Sequence, residues 1–172
     1  MGMRWCGGML IMIGSVCVGI WLRTQYLYRL QTTKDIQCGI SLLKGEIQYG
    51  RVPLPEACLS VALRLHGNSR LFFQTVSERL QERGGTVEKV WRESIENVFG
   101  RRLLGAGDYE EFIRLGNTLG NLDVELQVRA MELCMKRLEE SISCYEKEKK
   151  NQTKLYPVVG TFGGFLLCLV LL

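Results

Sequence analysis

The sequence predicts an all-α protein: an antiparallel helical bundle forming a cytosolic domain, flanked by N- and C-terminal transmembrane helices. Three observations carry that prediction. Through the middle of the chain apolar residues recur at spacings of three and four, and the breaks between those stretches fall at Gly and Pro. No run of alternating β-branched residues marks a strand. Both ends are free of formal charge for 18 residues, Trp5 to Leu22 and Leu155 to Leu172, whereas the 132 residues from Arg23 to Lys154 hold all 18 acids and 21 of the 22 strong bases.

As a helix of about 1.5 Å per residue, each apolar end spans roughly 27 Å, close to a hydrocarbon core of about 30 Å. The expected organisation is therefore an anchor over 1–22, a helical soluble domain over 23–154 and a second membrane helix over 155–172. Arg4 ahead of an apolar run also suits a secretory signal peptide. However, that run is longer than a usual signal core, and Ile20-Trp21-Leu22-Arg23 offers no small-x-small site, so a retained anchor is expected. Lys147, Lys149, Lys150 and Lys154 flank the second apolar run on the domain side, and Arg23, Arg29 and Lys34 outnumber Arg4 at the first. Cationic flanks resist translocation, which places the domain in the cytosol and both termini outside.

Element by element, the first domain helix is expected to be capped near Thr32 or Thr33, to carry Ile36, Ile40, Leu43 and Ile47 on one face, and to end at Gly50. Pro53 and Pro55 force a turn. A second helix follows over 55–65 and stops at Gly67. Asn68 or Ser69 caps a third, with Phe72, Val76 and Leu80 at spacing four, ending at Gly84-Gly85. Thr86 caps a fourth, striped by Val87, Val90, Trp91, Ile95 and Val98 and closed by Gly100. Asp108 and Glu111 read as a capping box opening a fifth, with Phe112, Leu115 and Leu119, which Gly120 closes. From Asp123 a long sixth helix shows Leu126, Ala130, Leu133, Leu138, Ile142 and Tyr145 on one face. It meets no Gly or Pro before Pro157 and, continued into the membrane, spans about 50 residues.

Composition and motifs narrow the chemistry. A net charge of +4 on 172 residues is too small a basic excess for nucleic-acid binding. His66 is the only histidine and suits a surface or helix-end position. The seven cysteines show no C-x-x-C spacing; Cys38, Cys58, Cys134 and Cys144 read as small apolar residues in a reducing cytosol. Adjacent Glu110 and Glu111 point about 100° apart on a helix and read as first-turn acids. No phosphate-loop pattern is present. Neither cofactor nor metal is expected, and an enzyme is not indicated. In the apolar ends Gly160 and Gly164 form G-x-x-x-G, and Ser15 with Gly19 gives a small-x-x-x-small pair, spacings that let helix backbones approach.

Three groups of residues resemble one family. They are Glu46-Ile47-Gln48-Tyr49-Gly50 with Pro53, Leu54 and Ala57; Trp91 with Ile95; and Leu115-Gly116, Leu119-Gly120, Asp123 and Gln127, continued by Lys154, Tyr156 and Gly160 where the chain enters the membrane. In these the chain is similar to the stage III sporulation protein AB family, over nearly its whole length. Pro157 departs from the family pattern and bears on the straightness of the long helix. The resemblance implies a helical domain like the cytoplasmic domains of the type II secretion inner-membrane platform protein. It implies a place in the mother-cell membrane facing the forespore, within a channel complex that bridges the two cells. It further implies a non-enzymatic platform or adaptor that couples a secretion-type ATPase, stage III sporulation protein AA, to the other proteins of that complex; a homo-oligomer fits as well. The rival readings are a membrane regulatory or signalling protein with a helical cytosolic domain, and a lipid-modifying enzyme. Each marker also has a packing role: Tyr49, Gly50, Pro53 and Leu54 make a turn, Gly116 and Gly120 allow close packing and a stop, and Asp123 caps the long helix.

Overall fold

The computed structural model describes the backbone of all residues except 1, 83, 84, 121, 122 and 172, and the side chains of 24–82, 85–100, 103–120 and 123–147. Every regular element among the described residues is helical: α1 (Gly2–Gly45), a π-helical turn (Glu46–Gly50), α2 (Leu54–Arg64), α3 (Gly67–Gln81), α4 (Val87–Val98), the single turn α5 (Gly100–Leu103), α6 (Ala106–Leu119) and α7 (Val124–Leu171). The two expected membrane spans, 5–22 and 155–172, fall where side chains lie outside the described residues. So do Ser15, Gly19, Gly160 and Gly164. Among the described residues no helix is long and apolar enough to cross a membrane.

The expected boundary at Thr32 or Thr33 does not exist, because α1 runs unbroken from Gly2 to Gly45. Both threonines are buried, and the Thr33 hydroxyl donates to the Asp108 carboxylate at 3.1 Å instead of capping a helix. The expected helix up to Gly50 changes pitch at Glu46 into the π turn, which ends at Arg51 in the left-handed region (φ 50°). Gly67 does not stop α2. It opens α3 at φ +59°, a left-handed conformation that glycine adopts without the Cβ penalty, and Ser69, expected as a cap, is buried. Thr86 caps α4 as expected, its Oγ1 accepting from the Lys89 amide at 3.4 Å. Gly100 likewise opens α5 at φ +54° after α4 has already ended at Val98.

Between Tyr26–Tyr145 and Lys44–Glu132 the described parts of α1 and α7 pack antiparallel, with Lys44 to Glu132 at 2.9 Å toward one end and Lys34 to Glu146 at 2.6 Å toward the other. The α2–α3 hairpin and the α4–α6 pair complete the bundle. Its centre is an aromatic cluster in which Phe72 meets Phe73, Trp91 and Phe112 at centroid distances of 5.1, 4.9 and 4.9 Å. Gly39 on α1 leaves room for the ring of Phe73, where a Cβ would overlap it. On α7 the buried face is Met131, Cys134, Leu138 and Ile142. The expected stripe was one residue out of phase over its first turns: Leu126 and Leu133 are 45% and 51% exposed.

Candidate functional site

Most of the residues that mark the family resemblance gather at the end of the bundle opposite the two apolar termini, with Trp91 just beneath; Lys154, Tyr156 and Gly160 belong to the other end of α7, where side chains lie outside the described residues. α1 and α7 run in opposite directions, so the end of α1 and the start of α7 share that end. Glu46 ties the π turn to α2, its Oε1 accepting from Ser60 Oγ at 2.9 Å and facing Arg64 at 3.0 Å. A Cβ on Gly50 would come within 2.9 Å of Val52 Cγ2, so glycine fits the tight exit from the turn. Pro53 precedes α2 with φ −54°, and its carbonyl accepts from the Ala57 amide at 3.0 Å; Leu54 begins the helix. Tyr49 does none of this local work and stands 82% exposed.

Gly116 lies where the indole of Trp91 crosses α6; a Cβ there would overlap the indole ring. Trp91 is fully buried, and its Nε1 donates to the Phe112 carbonyl at 2.8 Å, which satisfies a polar atom that burial would otherwise strand. Gly120 is the C-cap of α6 with helical dihedrals, and a Cβ would sit 3.5 Å from Val87, an ordinary contact. Asp123 caps α7 as expected, Oδ1 accepting from the Glu125 amide at 2.9 Å. Gln127 Nε2 donates to the Leu119 carbonyl at 2.9 Å, supplying a partner to one of the carbonyls that the last turn of α6 leaves open. Among the markers, then, Gly50, Pro53, Leu54, Trp91, Gly116, Gly120, Asp123 and Gln127 build turns, crossings and caps. Tyr49 is the large side chain among them left facing outward.

A second polar group lies at the other end, and sequence reasoning misplaced it. Asp108 is not an N-cap. Gly105, extended at ψ 152°, occupies that position, and α6 starts at Ala106, so Asp108 lies inside the first turn. Its buried carboxylate accepts from Thr33 of α1 and from the Tyr145 hydroxyl of α7, each at 3.1 Å, thereby joining three helices. The Tyr145 phenol is pushed up to about 12, first by burial and then by the neighbouring Asp108 charge and its hydrogen bond. Glu111, expected with Glu110 as a first-turn acid, instead pairs across to Arg137 of α7 and with Arg114 on its own helix. Mid-helix Thr33 opposite an Asp next to a Gly-rich start was the available signal, legible only once α1 and α6 are known to meet.

His66 is exposed and precedes α3 in extended conformation, making no capping bond with its side chain. Cys38 and Cys144 are exposed; Cys58 and Cys134 are buried, and burial is the first cause that pushes each of these two thiols up to about 12. Among the described residues no three His, Cys, Asp or Glu side chains are grouped to hold a metal.

Comparison with known proteins places the chain beside one family. A family model for stage III sporulation protein AB matches residues 4–172. The stage III sporulation protein AB of Bacillus subtilis strain 168 is 25% identical over 166 residues, which cover 96% of this chain and 97% of that protein. A solved structure of a stage III sporulation protein AB is similar at a TM-score of 0.66 and 25% identity, covering 72% of this chain and 98% of the other.

Proposed function

The chain belongs to the stage III sporulation protein AB family, and from that footing we propose that it is a non-enzymatic platform in the mother-cell membrane facing the forespore. Its bundle lies in the mother-cell cytosol and couples a secretion-type ATPase, stage III sporulation protein AA, to the other proteins of the transenvelope channel complex. The observation that supports this reading is the continuity of α1 and α7. Each leaves the bundle as one helix and runs without interruption into an apolar end, so a load on the bundle reaches both ends through helical backbone. Family markers gather at the opposite end, where a cytosolic partner has access, and Tyr49 is the one with a free ring there.

Co-purification tests the reading. The full chain should bring down the ATPase, and Tyr49→Ala should weaken recovery severalfold without altering the unfolding curve, because that side chain buries little in the bundle. Absence of a complex with the unsubstituted chain would sink the platform and favour a regulatory protein. Undiminished recovery by the variant would move the contact away from Tyr49. Orientation is read at Cys38 and Cys144, which are exposed, whereas Cys58 is buried and reports nothing. An impermeant thiol reagent should miss both in intact cells and reach them after permeabilisation.

A further inference from the structure

We infer that the membrane-facing end of the bundle is a cationic collar for the headgroups of anionic phospholipids, formed by the segments 23–29 of α1 and 147–154 of α7. The inference rests on the membrane reading above. Its starting point is register. Four described contacts tie α1 to α7: Tyr26 to Tyr145 ring to ring at 5.3 Å, Lys34 to Glu146, Gln37 to the Met135 carbonyl, and Lys44 to Glu132. In each pair the two residue numbers total between about 171 and 180. Carried down two antiparallel helices of equal rise, that register sets Leu22 level with a residue near 153, within about one turn of Leu155. The two apolar runs thus begin at nearly one plane, as two spans entering a single bilayer surface require.

Charge just above that plane is lopsided. Segments 23–29 and 147–154 carry six bases (Arg23, Arg29, Lys147, Lys149, Lys150 and Lys154) and one acid, Glu148. Their surplus of five exceeds the +4 of the entire chain, while residues 30–146 hold 15 bases against 17 acids. The lowest of these bases is one residue from an apolar run and the highest seven or eight, so helical rise puts them all within roughly 12 Å of the plane. That is about the reach of a surface potential at moderate ionic strength. A second observation falls at the same level. Tyr28 is 63% exposed and Leu27 37%, an amphipathic ring and an aliphatic neighbour about six residues above the apolar run, the depth that headgroups occupy and that interfacial tyrosines favour. Cations beside an exposed tyrosine at the mouth of two apolar helices are complementary to phosphate-bearing lipid.

The test uses the full chain in nanodiscs of zwitterionic phosphatidylcholine or of phosphatidylcholine with phosphatidylglycerol. Lysine acylation by a water-soluble reagent is mapped by mass spectrometry. Lys89 and Lys44, which lie toward the opposite end of the bundle, serve as internal references. In the anionic disc the reactivity of Lys147, Lys149, Lys150 and Lys154 should fall severalfold while the references hold, and about 1 M salt should restore it by screening. Equal reactivity of the four lysines in both discs would overturn the collar and leave the membrane reading standing. Failure of the chain to enter either disc would overturn both.

Discussion

Trp91 and Gly116 form a pair in which one side chain exists because the other is missing. The indole fills the volume above Gly116 and spends its single donor on the Phe112 carbonyl. Gly116→Ala should therefore cost about 1–3 kcal/mol in denaturant unfolding, the usual range for overpacking a filled core. Gly120→Ala, where the nearest atom stands at ordinary contact distance and the dihedrals are helical, should stay within roughly 0.5 kcal/mol. The two glycines look equivalent in the sequence, and only the neighbour across the helix pair separates them. Asp108 makes the same point for polar residues. Asp108→Ala leaves the Thr33 and Tyr145 hydroxyls without their acceptor, a loss of about 1–3 kcal/mol, whereas Asp108→Asn keeps an acceptor oxygen and should lose less. Equal destabilisation by Ala and Asn would show that the charge, not the acceptor, is what the three helices share.

At the scale of elements, boundaries set by local chemistry were legible. Thr86 ahead of a Val-rich stripe, Pro53 ahead of α2 and Asp123 ahead of α7 each act through bonds to amides a few residues away, which is information the sequence carries directly. Boundaries set by tertiary contact were not. Thr32 and Thr33 resemble caps, but α1 continues through them because Asp108 of a distant helix provides for Thr33. The phase of α7 was misread for a related reason: Leu126 and Leu133 are larger than Met131 or Cys134 in apparent hydrophobicity, yet the neighbour helices meet the other face. Asp123→Ala should lower stability by about 0.5–2 kcal/mol, seen as an earlier unfolding midpoint with an unchanged slope. On the proposed membrane reading, Gly160→Leu with Gly164→Leu adds two side chains to one face of an apolar end, so it should impair assembly in the membrane while the fragment of residues 23–154 stays folded. Normal assembly and sporulation with that double substitution would remove helix packing from the account of these glycines.

For the whole molecule, the sequence displayed its division into apolar ends and a charged middle, since that contrast is compositional. The pairing of α1 with α7 was beyond it, because the described contacts span roughly 90 to 120 residues and comprise two ion pairs, one hydrogen bond to a carbonyl and one ring contact. That pairing decides what the middle can do alone. All described core residues lie between Leu30 and Ile142, so a fragment of residues 23–154 retains them together with both ion pairs that align the first and last helices. It should fold by itself, with strongly helical circular dichroism indifferent to a chelator; a solved family structure of which this chain covers 98% while using 72% of its own length agrees with a folded part of that size. Buried thiols then supply a stringent readout. Cys58 and Cys134 are held protonated by burial up to about 12, against 9.0 for a free thiol, so folding opposes their ionisation. A raised folded-state value contributes stability that is complete below pH 9, where the thiols of the unfolded chain are still neutral. It drains away as pH climbs from 9 to 12 and the unfolded chain alone releases protons. The unfolding midpoint of the fragment should hold near neutrality and fall steeply across that alkaline window, with Tyr145 adding to the fall above pH 10. Cys38 and Cys144 should react with a thiol reagent at neutral pH while Cys58 and Cys134 react only after unfolding. Prompt reaction of all four in the fragment would mean that the isolated middle lacks a closed core and that the apolar ends are needed to hold the bundle together.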